Sequence, residues 1–316
     1  MSFSSDIKEE MSRAIPSAKH CCIAELTAIF GLCGRIVYTE NGRLYIKIHT
    51  ENLAVARKYF TLLQKSFNIE SDVSVKRNLH LKNSRIYTVI VTDEAQSQKL
   101  LQAMKYMSAS GEILEDDINH TQMLLQSICC KRAFLRGAFL SAGSMSDPEK
   151  AYHFEINCPY ENKAVLLQQL MHFFDVDAKV IFRKNHYVTY VKDGAQIVDL
   201  LNIMGAPTAL MALENIRIAK EIRNSVNRQV NCEMANINKT VSAAAKQVED
   251  ILLIKNTIGF GQLTDGLREI AELRIENPEV SLQELGKMLS TPVGKSGVNH
   301  RLRKLSQIAS ELREKI

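Results

Sequence analysis

No apolar run in this chain approaches the roughly 20 residues of a membrane-spanning helix, so no membrane partner is expected. The opening MSFSSDIKEEMSRAI carries acids early and lacks the apolar stretch of a signal peptide. It reads instead as a short amphipathic helix capped near Ser5 or Asp6. No G-x-x-x-x-G-K-[ST] loop occurs, so nothing points to ATP. No C-x-x-C occurs either, although there are seven cysteines: Cys21, Cys22, Cys33, Cys129, Cys130, Cys158 and Cys232. An odd count without a secretory signal argues for reduced thiols in a cytoplasm. A metal site at His20-Cys21-Cys22 is conceivable, but adjacent cysteines on a helix point in different directions, and buried thiols are the expectation. No metal or other cofactor is expected. His49 and His153 fall at strand positions and are expected to be structural rather than catalytic.

Composition narrows little further. Charged residues make up 24% and apolar residues 46%, the usual proportions of a soluble globular protein. A net charge of +5 permits a polyanionic partner without requiring one. At 316 residues the chain has room for two or three domains, each with its own core.

Comparing the chain with itself is more informative. CCIAELTAIFGLCG (21–34) resembles CCKRAFLRGAFLSAG (129–143), and each is followed by a strand pair and then a helix opening at Glu-Asn, 51–67 and 161–174. SDVSVKRN and RIYTVIV in the first copy answer AKVIFRKN and YVTYV in the second, and DEAQSQKLLQAM (93–104) answers DGAQIVDLLNIM (193–204). The pairs Ala95/Ala195, Leu100/Leu200 and Met104/Met204 stay in step. Alternation such as Leu44-Ile46-Ile48 supports the strands. Each copy therefore reads α-β-β-α-β-β-α, and an α+β pair of halves about a pseudo-twofold axis is the natural packing. The small residues Ala24, Ala28 and Gly31, with Gly137 and Ala138, would let the first helix of each copy approach the other closely.

Beyond about Asn215 the composition changes. Residues 214–254 lack Gly and Pro and carry basic and amide side chains throughout, which predicts helix with a core-facing stripe, interrupted around Asn236–Asn238. Its Arg217, Lys220, Arg223 and Arg228 are candidate phosphate contacts, with a solvated connector as the simpler reading. The glycines of NTIGFGQLTDG end that pattern. Three helices follow: TDGLREIAELRIEN, stopped by Pro278; SLQELGKMLS, opened by a Ser281/Glu284 capping box; and VNHRLRKLSQIASEL after the turn TPVGKSG. On the third, Val298, Leu302, Leu305 and Ile308 form a core-facing stripe. Between Glu284 and Glu311 there are five Lys or Arg and no acid, while acids gather on the first of the three helices. That segregation suits a helix-turn-helix whose last helix enters the major groove, rather than a three-helix bundle for protein contact. Cations would neutralise phosphate and release counterions, and Asn and Arg would pair with base edges. The expected contacts to double-stranded DNA are Ser281, Lys287, Lys295, Ser296, Asn299, His300, Arg301, Arg303 and Lys304.

Two resemblances sharpen these expectations. The spacing L-x-G-x-x-x-x-x-G in FLRGAFLSAGS, set in the α-β-β-α-β-β-α repeat, resembles a monomeric LAGLIDADG homing endonuclease. In such nucleases the two central helices deliver carboxylates that hold the divalent metal needed to activate water. Carried onto this chain, those positions hold Cys33 and Ala142, so the metal site is degenerate in both halves and no catalytic residue is assigned. Asp147 and Glu155 are the nearest substitute carboxylates, without an evident pair. Strand tips of this scaffold face DNA, which makes Lys76-Arg77-Asn78 and Lys184-Asn185-His186 weak phosphate candidates, although solvated hairpin tips are the expectation. Further, SLQELGKMLSTPVGKSGVNHRLRKL, NSVNRQVNCEMANINKTVSAAAKQVEDI, FLRGAFLSAGSMSDPEKAYHFEI and MSF-x-S-x-I-K-E-E are similar to the WhiA family of Gram-positive bacteria, over nearly the whole chain.

The family resemblance implies a LAGLIDADG-like domain without nuclease chemistry, joined to a helix-turn-helix domain. It also implies a non-enzymatic DNA-binding regulator, of sporulation in filamentous relatives and of cell division and chromosome segregation in others. The alternative is a metal-dependent endonuclease of weak activity. The implied location is cytoplasmic and nucleoid-associated, with a protein partner possible on the LAGLIDADG-like domain. The implied domains are a first half with the N-terminal helix (1–110), a connector (111–128), a second half (129–222), linking helices (223–262) and a helix-turn-helix domain (263–316).

Overall fold

Phe3–Arg13 forms α1, entered from Ser2, whose hydroxyl accepts a hydrogen bond from the Ser5 amide at 3.2 Å. The cap is Ser2 rather than Ser5 or Asp6, because the amides of both already turn back onto the Ser2 carbonyl, at 2.8 and 3.1 Å. The computed structural model describes residues 2–77, 85–114 and 118–314. The chain divides into two compact units, Met1–Lys220 and Glu221–Ile316.

In the first unit the copies follow the predicted order. Copy one comprises α2 (Lys19–Cys33), β1 (Gly34–Tyr38), β2 (Leu44–Thr50), α3 (Leu53–Phe67), β3 (Asp72–Arg77), β4 (Arg85–Val91) and α4 (Glu94–Ala103). After α5 (Ile118–Leu124), copy two comprises α6 (Ile128–Ala142), β5 (Gly143–Met145), β6 (Phe154–Cys158), α7 (Glu161–His172), β7 (Lys179–Arg183), β8 (His186–Val191) and α8 (Gly194–Met204). Both sheets are antiparallel, in the orders β1-β2-β4-β3 and β5-β6-β8-β7. On β2 the period of two holds, with Leu44, Ile46, Ile48 and Thr50 buried.

Local chemistry repeats with the elements, though not everywhere. Asp93 and Asp193 cap α4 and α8 alike, accepting from the amides of Gln96 and Gln196 at 2.7 and 2.9 Å. Asn52 caps α3 through its side chain at 2.8 Å, so that helix starts at Leu53. Its counterpart α7 starts at Glu161, after Tyr160, with no side-chain cap.

The two copies meet through α2 and α6. A Cβ on Gly137 would stand 2.6 Å from the Glu25 carbonyl oxygen, so only glycine admits this separation. At the helix ends, a Cβ on Gly34 or Gly143 would lie 2.2 or 2.3 Å from the rings of Phe30 and Phe139. One continuous core surrounds the pair, from Ile7 of α1 to Leu201 of α8 and beyond. Within it lie three charged groups. Glu25 and Lys58 are fully buried 3.1 Å apart, and Arg136 grips the same carboxylate with Nε and Nη2 at 3.1 and 3.0 Å. The Lys58 ammonium also donates to the carbonyls of Met11 and Ala14.

The unit boundary falls within α9 (Pro207–Thr257), whose first amides donate to the Glu10 carboxylate at 2.7 and 3.0 Å. Two expectations fail here. The helix is unbroken through Asn236–Asn238. Asparagine is less favourable than alanine by roughly 0.7 kcal/mol or less per residue, which does not end a helix that keeps its amide donors. The apolar stripe Ile222, Val226, Val230, Met234, Ile237 and Val241 is exposed rather than core-facing. A helical period says which side chains share a face, not whether anything covers it.

In the second unit a 3₁₀ turn (Phe260–Gln262) leads to α10 (Asp265–Glu276), α11 (Leu282–Met288) and α12 (Lys295–Arg313). Their core joins Ile251 and Ile254 of α9 to Leu267, Ile270, Leu285, Val298, Leu302 and Leu305. The expected stripe of α12 closes on Ala309, which is fully buried, while Ile308 packs at the margin.

Candidate nucleic-acid interface

Pro278, Ser281 and Gly286 shape the second unit. Pro278 follows α10, and Ser281 opens α11 with the predicted capping box: its hydroxyl accepts from the Glu284 amide at 3.3 Å, and Glu284 accepts from the Ser281 amide at 3.2 Å. The Ser281 hydroxyl also donates to the Glu284 carboxylate at 2.7 Å, and this bond, with that from the Ser281 amide, holds the Glu284 carboxyl below its ordinary value. The connector after α11 folds back where Val293 donates to the Gly286 carbonyl at 3.0 Å. A Cβ on Gly286 would lie 2.2 Å from the Val293 oxygen and 3.1 Å from Val298 of α12, so a side chain there would push the connector off α11. Ser290 anchors the same connector to α10, its hydroxyl donating to Glu269 at 3.1 Å. At the far end of α12, Arg313 pairs with the buried Asp250 of α9 at 2.8 Å. The connector is thus held to both α10 and α11.

This scaffold aims the start of α12 outward. Gly294 caps it without a side chain, and its first turn holds no acid, leaving Lys295 and Ser296 exposed beside unsatisfied amides. His300, Arg303 and Lys304 are exposed, Asn299 is half-buried, and Lys287 is exposed on α11. Two of the sequence-assigned residues have evident structural work. Ser281 is engaged in its cap, and the half-buried Arg301 lies over Gly266 of α10, donating to its carbonyl at 3.4 Å.

In the first unit, Cys33 and Ala142 sit side by side at the ends of α2 and α6, the Cys33 thiol 3.8 Å from the Ser141 carbonyl oxygen. Cations face this point. Burial holds Lys8 down to about 8 while Cys33 draws it back up, and Lys163 donates to the Gly31 carbonyl. Burial likewise pushes the Cys33 thiol up. The substitute carboxylates are engaged locally: Glu155 accepts from Ser144 at 3.1 Å and faces His153 Nε2 at 3.0 Å, and Asp147 accepts from the Glu149 amide at 3.0 Å.

A basic face not singled out from the sequence lies on the first sheet. Arg35 and Lys47 are register partners across β1 and β2, and burial together with Lys47, Arg35 and Lys76 lowers the pKa of His49, whose Nδ1 lies 2.9 Å from the Thr88 hydroxyl. In copy two the matching register pair is Ser144 and Glu155, so the Arg35–Lys47 pair has no basic counterpart there, although Lys179 and Arg183 lie exposed on the same face of that sheet. The alternation of GRIVY and LYIKIHT held the signal: its outward positions carry Arg35, Lys47 and His49. Of the two tip tripeptides, Asn78 lies outside the described residues. Lys184 and Asn185, at φ of 49° and 66°, form the two-residue hairpin turn before His186.

The buried-thiol expectation holds for Cys21, Cys22, Cys130 and Cys158, whereas Cys129 and Cys232 are exposed and Cys33 lies between.

Known proteins share this arrangement. Residues 19–106 match the family model described as the WhiA N-terminal LAGLIDADG-like domain, residues 131–223 the WhiA LAGLIDADG-like domain, and residues 226–309 the WhiA C-terminal HTH domain. A relative from Lachnoclostridium phytofermentans, named probable cell division protein WhiA, is 54% identical over 314 residues, spanning 99% of this chain and 100% of its own. The crystal structure of a full-length WhiA from Thermatoga maritima matches 98% of this chain and 99% of its own, at 27% identity and a TM-score of 0.60. A solved N-terminal LAGLIDADG domain of WhiA matches 65% of this chain and 90% of its own, with a TM-score of 0.50 and 24% identity, and bears on the fold alone.

Proposed function

The chain belongs to the WhiA family, and from that we propose a DNA-binding regulator of cell division that grips its duplex mainly through α11 and α12. Segregated charge carries the reading: from Leu285 to Ser310 the helix-turn-helix has five Lys or Arg and no acid. Lys295 and Ser296, beside the open amides of α12, serve a phosphate. Asn299, His300, Arg303 and Lys304 supply further phosphate or base contacts, with Lys287 flanking, while the Ser281 hydroxyl is engaged in capping α11. Arg301 acts through its hold on α10. The domains follow the bounds 1–110, 111–128, 129–222, 223–262 and 263–316, and the last carries most of the affinity.

In this proposal the protein is not an enzyme. Cys33 and Ala142 stand where a nuclease needs metal-holding carboxylates, and Lys8 and Lys163 bring cations to the same place. The LAGLIDADG-like domain serves instead as a second, weaker DNA surface through Arg35 and Lys47, or as the seat of a protein partner. Transcriptional control, a role in chromosome segregation and a place on the nucleoid belong to the same proposal.

The test is DNA affinity of the full chain across a salt series. Replacing both Arg303 and Lys304 with Ala is expected to reduce the salt slope by about 1 for each phosphate that is no longer neutralised. An unchanged slope overturns the assignment, and strand cleavage in Mg²⁺ by the wild-type chain overturns the non-enzyme reading.

A further inference from the structure

The first turns of α2 and α6 bring together four donors that neither helix holds alone. His20 and Cys21 come from α2, and Cys129 and Cys130 from α6. His20 Nδ1 lies 3.1 Å from Cys130 Sγ, 3.4 Å from Cys21 Sγ and 4.0 Å from Cys129 Sγ, and all four donor atoms lie within 4.8 Å of one another. Among the described residues no other group of three or more His, Cys, Asp or Glu side chains converges in this way. Cys22 points elsewhere, its thiol 3.4 Å from the Pro16 carbonyl oxygen. Cys21 and Cys22 do diverge, as expected of adjacent cysteines on a helical backbone. The pseudo-twofold axis overcomes this by bringing the matching dipeptide from the other copy.

We propose that His20, Cys21, Cys129 and Cys130 form a tetrahedral site for a single zinc ion that ties the first turns of α2 and α6 together. Zinc binds sulfur at about 2.3 Å and nitrogen at about 2.0–2.1 Å, so donors around it stand about 3.6–3.8 Å apart. The observed spacings bracket that value, and side-chain rotation covers the difference. Three thiolates and an imidazole suit a soft d¹⁰ ion, and the donors lie too close together for a multi-iron cluster. Binding releases three thiol protons and leaves a net charge of −1 on the site. That charge falls at the positive ends of two helix dipoles. Cys21 and Cys130 are buried, while His20 and Cys129 are exposed and give the ion a route in. With four protein ligands the site is closed and structural. It is also distinct from the degenerate nuclease positions, which lie at the other end of these 15-residue helices, about 20 Å away. Zinc binding here is independent of DNA binding.

The full-length chain, prepared under reducing conditions without chelator, is analysed for bound metal, then stripped and titrated with Co²⁺. One zinc per chain is expected, together with saturable Co²⁺ binding at one equivalent that shows thiolate charge transfer and the visible bands of tetrahedral cobalt. Cys129→Ser and His20→Ala, both at exposed positions, lose the stoichiometric metal, and Cys232→Ser on α9 keeps it. A stripped wild-type chain that keeps its helical circular dichroism yet shows no saturable Co²⁺ signal overturns the proposal. A Cys21–Cys129 disulfide in the reduced preparation, or zinc retained in Cys129→Ser, overturns it as well. Should a variant not fold, the wild-type titration still decides.

Discussion

Glu25 lies without exposed surface between Lys58 and Arg136, one carboxylate serving two cations from α3 and α6. Burial lowers the Lys58 pKa and Glu25 draws it back up, so the ammonium depends on that carboxylate. Removing the acid leaves two buried charges unpaired, and Glu25→Ala is expected to cost about 3–5 kcal/mol in urea unfolding. A loss below about 1 kcal/mol would mean that water solvates the site. Nothing in CCIAELTAIFG marks Glu25 as buried, because Arg136 is 111 residues away. The Ser281/Glu284 cap is the opposite case, legible because its partners are three residues apart. Since the Glu284 pKa is lowered on folding, its contribution is full above the ordinary carboxylate range and fades as pH falls through the lowered value. Ser281→Ala is expected to destabilise the second unit by about 1 kcal/mol near neutral pH. The difference from wild type should shrink in acid; a pH-independent difference would refute the capping account.

Among elements, α12 separates two kinds of arginine. Its stripe of Val298, Leu302 and Leu305 sets the helix rotation, which periodicity alone conveys, and that rotation turns Arg303 and Lys304 to solvent. Arg301 faces α10, which periodicity does not convey, because its partner is the Gly266 backbone. Arg303→Ala is therefore expected to weaken DNA binding with the melting temperature unchanged. Arg301→Ala is expected to lower both affinity and melting temperature, as its side chain packs as well as carries charge. Equal melting of the two variants would return Arg301 to the DNA-facing residues. Helix α9 shows the limit of propensity: three residues of Asn236-Ile237-Asn238 look like a break, yet the backbone ladder continues through them.

At the scale of the molecule, duplication made two similar halves and later substitution made them unlike. Arg35 and Lys47 in copy one match Ser144 and Glu155 in copy two, so this basic pair marks the copy-one sheet face alone. If that face and the helix-turn-helix engage one duplex, Arg35→Ala/Lys47→Ala will weaken binding in the full chain. Combining these with Arg303→Ala/Lys304→Ala will then remove more affinity than either pair alone, since each site raises the effective concentration of the other. Full affinity in Arg35→Ala/Lys47→Ala would leave DNA binding to the second unit and turn attention to a protein partner for the first.

Element order in both copies, the antiparallel strand pairs, the capping box and the three C-terminal helices were all readable from residue order, because each rests on contacts a few residues apart or on a pattern written twice. The Glu25 triad, the outward stripe of α9, the inward turn of Arg301 and the convergence of His20 and Cys21 on Cys129 and Cys130 were not. Each depends on which surfaces meet, and such meetings join residues distant in the chain that carry no local mark of their partners. In the case of the four donors, the repeat supplied the matching dipeptides, and close packing of α2 on α6 at Gly137 brought them within bonding reach of one ion.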